Sequence, residues 1–270
     1  MVANKDVKGT LHAQLLELRL PTFRDRFEEV AQGAVQETLS YEQYLLELTN
    51  RECDDRRIRK VERLLRESHL PLEKNFDTFN LKRLPAKVAR QVRTLQQGSF
   101  ADRRENVLAF GNSGAGKTHL LCAIAQDLIR NSERRVYFST CSLLVQELLV
   151  GKRDLKLSRL LKRLSRFDVL VIDDIGYVQQ SREEMEVLFT LLAERYERGS
   201  VMLTSNLPFS KWEAIFKDPM TTAAAIDRLV HHSVILELNL PSYRLAQAKQ
   251  TKTKEPDEET VIETGDDTAR

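Results

Sequence analysis

The sequence predicts an α/β fold in which a parallel five-stranded sheet carries helices on both faces, preceded by a small all-helical domain. Three observations favour it: a glycine-rich loop between a strand-like and a helix-like run, an apolar β-branched run that ends in two aspartates, and regular strand–helix alternation. Strands are expected at 106–110, 135–139, 168–173, 200–205 and 233–238, with helices at 117–130, 142–150, 154–165, 182–197 and 222–231.

Three segments are predicted along the chain: a helical amino-terminal domain at 1–75, the sheet domain at 76–248 and an acidic tail at 249–270. In the first segment a leucine stripe stops near Pro21, and Ser40 with Gln43 forms a capping-box pattern that opens a long helix. This segment has little room for a core of its own, so we expect it to pack on a partner or on the sheet domain. Residues 251–270 hold three basic and seven acidic side chains, which favours disorder.

The glycine-rich loop has the complete G-x-x-x-x-G-K-T pattern of a phosphate-binding loop. Its glycines let backbone N–H groups converge on phosphates at the start of a helix. Lys117 adds a positive charge near the β- and γ-phosphates, and the Thr118 hydroxyl is a ligand for Mg²⁺. The predicted nucleotide-binding residues are Gly111, Asn112, Ser113, Gly114, Ala115, Gly116, Lys117, Thr118 and the following His119.

Carboxylates and an amide follow two later strands of the predicted sheet. Asp173 and Asp174 end the apolar run that starts at Val169, and Asn206 ends the run that starts at Val201. The carboxyl ends of parallel strands meet at the edge where ligands bind. We therefore expect Asp173 to hold Mg²⁺ and Asp174 to polarise the attacking water, with Asn206 orienting that water without added charge.

Composition narrows the class of protein and its compartment. Of the 270 residues, 30% are charged and the net charge is +2, while the apolar stretches fall far short of the ~20 residues that a membrane span needs. No amino-terminal segment has the pattern of an export signal. Cys53, Cys122 and Cys141 are dispersed and lack metal-ligand spacing. These features predict a protein of the reducing cytoplasm without a membrane partner.

The order of these motifs resembles that of AAA+ P-loop ATPases. Several stretches narrow the resemblance to the IstB-like helper ATPases of insertion-sequence transposition, within the branch that also contains the DnaC-like helicase loaders. The resemblance covers roughly residues 10 to 248. The stretches that carry it are 20–27, 76–79, 173–177, 225–229 and 241–244.

The resemblance also implies roles for two arginines. Arg228 matches the arginine finger that reaches the nucleotide of a neighbouring subunit, although an ion pair with Asp227 or another acid is the alternative. Arg244 matches a sensor-like arginine that binds the nucleotide. Most AAA+ ATPases have glutamate where this chain has Asp174, which is one methylene shorter, so we expect slow hydrolysis.

Two basic segments are candidates for contact with DNA. The first, at 152–166, has one acid and seven bases, and a solvated helix face is the alternative. The second is the predicted helix at 56–66, where acids lie among the bases. Ion pairs within the helix explain its basic residues equally well. The predicted contacts are Lys152, Arg153, Lys156, Arg159, Lys162 and Arg163 in the first segment, and Arg57 and Lys60 in the second.

Taken together, the resemblance implies an ATP-dependent ATPase that uses Mg²⁺ and assembles on duplex DNA as a homo-oligomer with ATP at the subunit interfaces. It implies DNA binding that is largely independent of sequence, recruitment and stimulation of a transposase, and a part in target selection. Two alternatives remain open. A helicase loader would use its amino-terminal domain to bind a replicative helicase, and a monomeric P-loop kinase would need neither DNA nor Arg228 from a second subunit.

Overall fold

A computed structural model describes residues 6–176, 181–212 and 219–243 of the chain. Three helices come first, and two shorter ones lead into the sheet. They are α1 (Val7–Glu17), α2 (Pro21–Gln36), α3 (Tyr41–Glu67), α4 (Ala86–Gln96) and α5 (Ser99–Asp102), with a 3₁₀ turn at Leu81–Arg83. The expected capping box opens α3, where Ser40 and Gln43 exchange side-chain and backbone hydrogen bonds.

The sheet has five strands in the order β2-β3-β4-β1-β5, and each neighbouring pair is parallel. The strands are β1 (Asn106–Phe110), β2 (Val136–Thr140), β3 (Val169–Ile175), β4 (Ser200–Ser205) and β5 (Ser233–Glu237). The helices that alternate with them are α6 (Lys117–Ser132), α7 (Cys141–Arg153), α8 (Leu157–Leu164), α9 (Arg182–Arg195) and α10 (Pro219–Val230). The predicted α/β fold is confirmed.

Helices cover both faces of this sheet. One hydrophobic cluster joins α4 and α6 to the sheet, and a second joins α7, α8, α9 and α10 to its other face. The middle strands are therefore buried on both sides, which explains why they read as continuous apolar runs without alternation.

The long helix α3 contributes to two cores. Near its start, Leu48 packs with Leu15, Phe27 and Val30 in a small cluster with α1 and α2. Near its end, Leu64 belongs to the large cluster around α6. The amino-terminal helices thus pack on the sheet domain through the second half of α3, while the domain boundary at residue 75 stays a prediction.

Two of the three cysteines are buried, as small apolar side chains would be. Cys122 and Cys141 are buried and Cys53 is exposed. Burial, with a smaller contribution from the negative charge of Asp173, raises the pKa of the Cys122 thiol to about 12. Within the described ranges, no helix is both long and apolar enough to cross a membrane.

Candidate nucleotide site at the carboxyl edge of the sheet

The phosphate loop joins the end of β1 to the start of α6, and its backbone requires glycine. Gly111 has φ 149°, and a Cβ atom there would lie 2.2 Å from the carbonyl oxygen of Leu238. Gly116, the residue before α6, has φ 93°, and its Cβ would meet the ring of Phe79 at 3.2 Å. Side chains at these positions would strain the backbone and collide with Leu238 and Phe79, so the loop can take this path only with glycine there.

Lys117 is held inside this loop. Its ammonium group donates to the carbonyl oxygens of Gly111 at 2.8 Å and Asn112 at 3.0 Å, and the residue is only 6% exposed. Because α6 begins here, the backbone N–H groups of its first turn lack intrahelical acceptors. A fixed cation next to the positive end of a helix dipole is an electrostatic environment that favours a polyphosphate.

Asp173 connects the loop to the middle of the sheet. Its carboxylate oxygen Oδ1 accepts hydrogen bonds from the hydroxyl groups of Thr118 at 2.8 Å and Thr204 at 2.6 Å. The residue is only 7% exposed, so water has little access to this carboxylate. A hydroxyl and a carboxylate oxygen already close together are the hard oxygen donors that Mg²⁺ prefers, and the two predicted metal ligands therefore fit this ion.

Asp174 lies at a β-bulge that separates its surroundings from those of Asp173. On β3 and β4, Ile172 pairs with Leu203 and Ile175 with Ser205, so that the two aspartates between them face the single residue Thr204. Asp174 has φ 60°, in the left-handed region, and it is exposed. A bulge redirects side chains in this way, and here it places Asp174 in the wall of a cavity.

The cavity has a volume of about 490 Å³ and contains most of the predicted site. Asp174, the loop from Ser113 to His119 and Asn206 line it, while the role of Asn206 stays a prediction. The lining residues that sequence reasoning missed come from the segment before α4 and the segment after β5. They are Lys74, Thr78, Asn80, Arg83, Leu240 and Tyr243.

One wall of the cavity is built around His119. Its Nε2 atom lies 2.9 Å from the carbonyl oxygen of Asn75 and 3.1 Å from the hydroxyl of Thr78, and its ring meets Phe79 edge-on at 5.1 Å. These contacts attach the 75–79 segment to the first turn of α6. Phe79 lines the cavity, whereas Phe76 does not.

Arg228 lies on α10, away from this cavity. Its guanidinium group stacks over the ring of Phe189 at 4.9 Å and donates to the carbonyl oxygen of Ala224 at 2.9 Å. Among the residues that the structure describes, it forms no ion pair, either with Asp227 or with another acid. The other predicted arginine, Arg244, lies outside the described residues.

The leucines of α8 pack on the sheet domain, and this separates the basic side chains of the 152–166 segment into two groups. Lys152, Arg153 and Arg163 form ion pairs with Glu186, Asp154 and Glu147. The remaining four form no ion pair within the described ranges: Lys156, Arg159, Lys162 and Arg166.

On α3, the predicted DNA contacts have protein partners. Both Arg57 and Lys60 pair with Glu133, which follows the last turn of α6. Arg56, Arg59 and Arg63 pair with acids one turn away on α3 itself: Glu52, Asp55 and Glu67. The arrangement holds α3 against α6, and the DNA contacts of this helix stay a prediction.

A phosphate loop after β1, an aspartate pair near the carboxyl end of β3 and a polar end to β4 define a P-loop ATPase with the AAA+ fold. Among solved structures, the DnaC helicase loader is similar, with a TM-score of 0.54 and 18% identity over 61% of this chain and 96% of that one. AMPPCP-bound DnaA from Aquifex aeolicus has a TM-score of 0.54 at 15% identity over 72% and 58% of the two chains. At these identities the likeness establishes the fold.

The chain belongs to the family of IstB-like ATP-binding proteins, whose model matches residues 13–251. It is 39% identical over 252 residues to a putative insertion sequence ATP-binding protein of Sinorhizobium fredii, which covers 93% of this chain and 84% of that protein. It is 34% identical to the putative ATP-binding protein of insertion sequence IS21 from Pseudomonas aeruginosa, over 89% and 90% of the two chains. The protein is thus an ATP-binding AAA+ ATPase.

Proposed function

We propose that this protein is the ATP-dependent helper of an insertion sequence, which assembles on duplex DNA in the cytoplasm, recruits and stimulates the transposase and helps to select the target. The observation that carries the proposal is the hydrogen bond from Thr118 of the phosphate loop to Asp173 on β3, with Asp174 next to it in the cavity wall. It occurs in a chain that is 34–39% identical to proteins named as insertion-sequence ATP-binding proteins.

In the proposed reaction, ATP is the substrate and its phosphates lie on the loop amides and Lys117. Thr118 and Asp173 would hold Mg²⁺, which when bound supplies charge neutralisation on the β- and γ-phosphates. Asp174 accepts a proton from a water molecule whose oxygen attacks the γ-phosphorus. The bond to the β–γ bridging oxygen breaks, and ADP and phosphate leave. Asn206, which lines the same cavity, orients this water.

Arg228 completes the site of a neighbouring subunit in this proposal. It is absent from the lining of its own chain's cavity and forms no ion pair with a described residue, so its charge is available to a partner. The planar guanidinium group suits a phosphate, and an arginine finger can accelerate hydrolysis by about 10³–10⁵. ATP would then promote assembly because the nucleotide lies between two subunits.

Duplex DNA is proposed to contact the four cations of the 152–166 segment that lack ion-pair partners among the described residues. Their neighbours Lys152, Arg153 and Arg163 already neutralise acids, so they have less to gain from a phosphate. Contacts to the phosphate backbone carry little sequence information, which suits a protein that accepts many target sequences.

The experiment that tests the proposal is particle mass by light scattering, with and without ATP and a random-sequence duplex of about 60 base pairs, long enough for several subunits to bind. A large oligomer that requires both ligands supports the helper, and Lys117→Ala should prevent its formation. A particle that ignores duplex DNA yet binds a replicative helicase would support the helicase loader instead. A monomer under all conditions contradicts both and favours the kinase.

A further inference from the structure

Thr204 lies opposite the bulge in β3 and contacts both aspartates of the site. Its hydroxyl donates to the Oδ1 atom of Asp173 at 2.6 Å and accepts from the backbone N–H of Asp174 at 2.8 Å. The side chain is completely buried. One hydroxyl group thus connects the proposed metal ligand to the backbone of the proposed base.

The bulge explains why this hydroxyl matters. Where two residues of one strand face a single residue of its neighbour, the regular ladder cannot pair every backbone group. Asp174 also has φ 60°, a left-handed conformation that aspartate tolerates better than most residues but that still costs free energy relative to a regular strand. The Thr204 hydroxyl supplies an acceptor for the N–H group of Asp174 at this point, and so helps to keep the carboxylate directed into the cavity.

Thr204 is also in register with the strand that precedes the phosphate loop. β4 lies between β3 and β1, and Thr204 pairs with Ala109 of β1, two residues before Gly111. The distance between the loop and the two aspartates therefore depends on the strand that carries this hydroxyl.

We propose that Thr204 is the positioning residue of the hydrolytic site: its hydroxyl orients Asp173 for Mg²⁺ and fixes the bulged backbone that aims Asp174 at the attacking water. The inference rests on the roles proposed above for these two aspartates. Thr204 does not line the cavity, so its effect passes through the two carboxylates that it contacts.

Its neighbour Ser205 provides a matched control. Ser205 is equally buried, and its hydroxyl lies 3.1 Å from the carbonyl oxygen of Ile175 and 3.0 Å from that of Leu207, so its single hydrogen is shared between these two acceptors. Both acceptors are backbone groups rather than carboxylates. Removal of the Ser205 hydroxyl therefore leaves a similar buried defect on the same strand without changing the hydrogen bonds of the two aspartates.

The test compares Thr204→Val, which keeps the shape and removes the hydroxyl, with Thr204→Ser, which keeps the hydroxyl, and with Ser205→Ala. Equilibrium binding of AMPPCP is measured with and without Mg²⁺, and ATP hydrolysis is measured over a Mg²⁺ titration. We expect Thr204→Val to bind AMPPCP with normal affinity when Mg²⁺ is absent. The increase in affinity that Mg²⁺ produces should be about ten-fold smaller than in the wild type, and kcat should fall by about 10–100-fold.

The two comparison variants separate positioning from packing. Thr204→Ser should stay within about three-fold of wild type in both measurements because a serine hydroxyl can make the same bonds. Ser205→Ala should lower the melting temperature and leave the Mg²⁺ dependence unchanged. If Thr204→Ser is as impaired as Thr204→Val, or if Thr204→Val responds to Mg²⁺ like wild type, the inference is wrong.

Two further arms keep the outcome decisive. Should Thr204→Val fail to fold, Thr204→Ala is measured in the same way and compared with Thr204→Ser. Asp173→Asn and Asp174→Asn are run in parallel. If these two hydrolyse ATP normally, the proposed roles of the aspartates fail, and the inference fails with them. If they are impaired and the threonine variants are not, the inference about Thr204 fails alone.

Discussion

Asp173 and Asp174 are neighbours in sequence, and their surroundings are opposite. Asp173 is buried and accepts hydrogen bonds from two hydroxyl groups, whereas Asp174 is exposed in the wall of the cavity. A carboxylate fixed by hydrogen bonds suits a metal ligand, and one exposed to the cavity suits a proton acceptor. The local geometry therefore supports different proposed roles for two chemically identical side chains.

The difference predicts that Asp174→Asn separates binding from hydrolysis. The amide has the same shape but cannot accept the proton of water, so kcat should fall by about 10²–10⁴ while ATP-dependent assembly persists. Single-turnover hydrolysis and light scattering measure the two properties on one sample. Normal hydrolysis by this variant would show that another group acts as the base.

Lys117 is the residue whose replacement should prevent binding itself. Its ammonium group is buried in the phosphate loop, where we expect it to meet the β- and γ-phosphates. Lys117→Ala should therefore weaken ATP affinity by at least about ten-fold, as measured by equilibrium binding. Lys152→Ala, on an exposed helix end, is the control and should bind ATP normally. Equal affinity of the two variants would contradict the assigned site.

At the scale of secondary-structure elements, α8 and α10 have basic side chains that lie outside the nucleotide cavity. The apolar face of α8 packs on the sheet domain and leaves its bases at the surface. On α10, Arg228 stacks on Phe189 of α9 rather than turning to an acid. Both helices therefore carry cations that do not line the nucleotide cavity of their own chain.

For α10, we predict complementation between two inactive variants. Arg228→Ala keeps its own cavity intact and lacks the finger, whereas Lys117→Ala keeps the finger and lacks a working cavity. A mixture of the two should regain ATPase activity at the interfaces where an intact cavity meets an intact arginine. Each variant alone is the control. A mixture no more active than its components would contradict an arginine that acts on a neighbouring subunit.

For α8, the separation into paired and unpaired bases predicts which substitutions change DNA binding. Arg159→Gln with Lys162→Gln should reduce the salt dependence of duplex binding by about 0.9 in log–log slope for each DNA phosphate that the variant no longer neutralises. The matched control is Arg153→Gln with Arg163→Gln, which removes the same charge from bases that already have acidic partners. Equal slopes for the two double variants would show that α8 is not the specific contact.

At the scale of the whole molecule, the amino-terminal helices and the sheet domain share a core. Leu64 and Leu70 lie in the hydrophobic cluster around α6, and the backbone N–H of Phe138 on β2 donates to the carbonyl oxygen of Ser68 at 2.8 Å. The end of α3 and the turn after it therefore cover one face of the sheet, although they precede the predicted boundary at residue 75.

This shared core predicts where the chain can be shortened. A chain that starts at residue 76 lacks Leu64 and Leu70, each worth about 2–5 kcal/mol when truncated in a core, and should unfold or aggregate. A chain that starts at residue 57 keeps both leucines and should retain a cooperative thermal transition. Circular dichroism during heating distinguishes them. Cooperative folding of the shorter chain would place the boundary at residue 75 after all.

Much of the fold and part of the site could be predicted from local patterns. Each of the five strands begins within one residue of its predicted start, and the Ser40 capping box forms as predicted. Both features depend on residues that are close together in sequence. Asn206 and Asp174 share the cavity with the phosphate loop because parallel strands end at one edge. The partners of Arg57 and Lys60 were missed because Glu133 lies more than seventy residues away.

The sequence by itself determined the class of protein: the glycines, lysine and threonine of the loop, the aspartate pair and the strand–helix order are local features, and their chemistry follows from residue type and spacing. Only the tertiary structure decided that a bulge places both aspartates opposite Thr204, that Arg228 lies outside the cavity of its own chain, and that α3 contributes to the core. These features depend on the register between strands and on contacts between distant residues, which no single stretch of sequence contains.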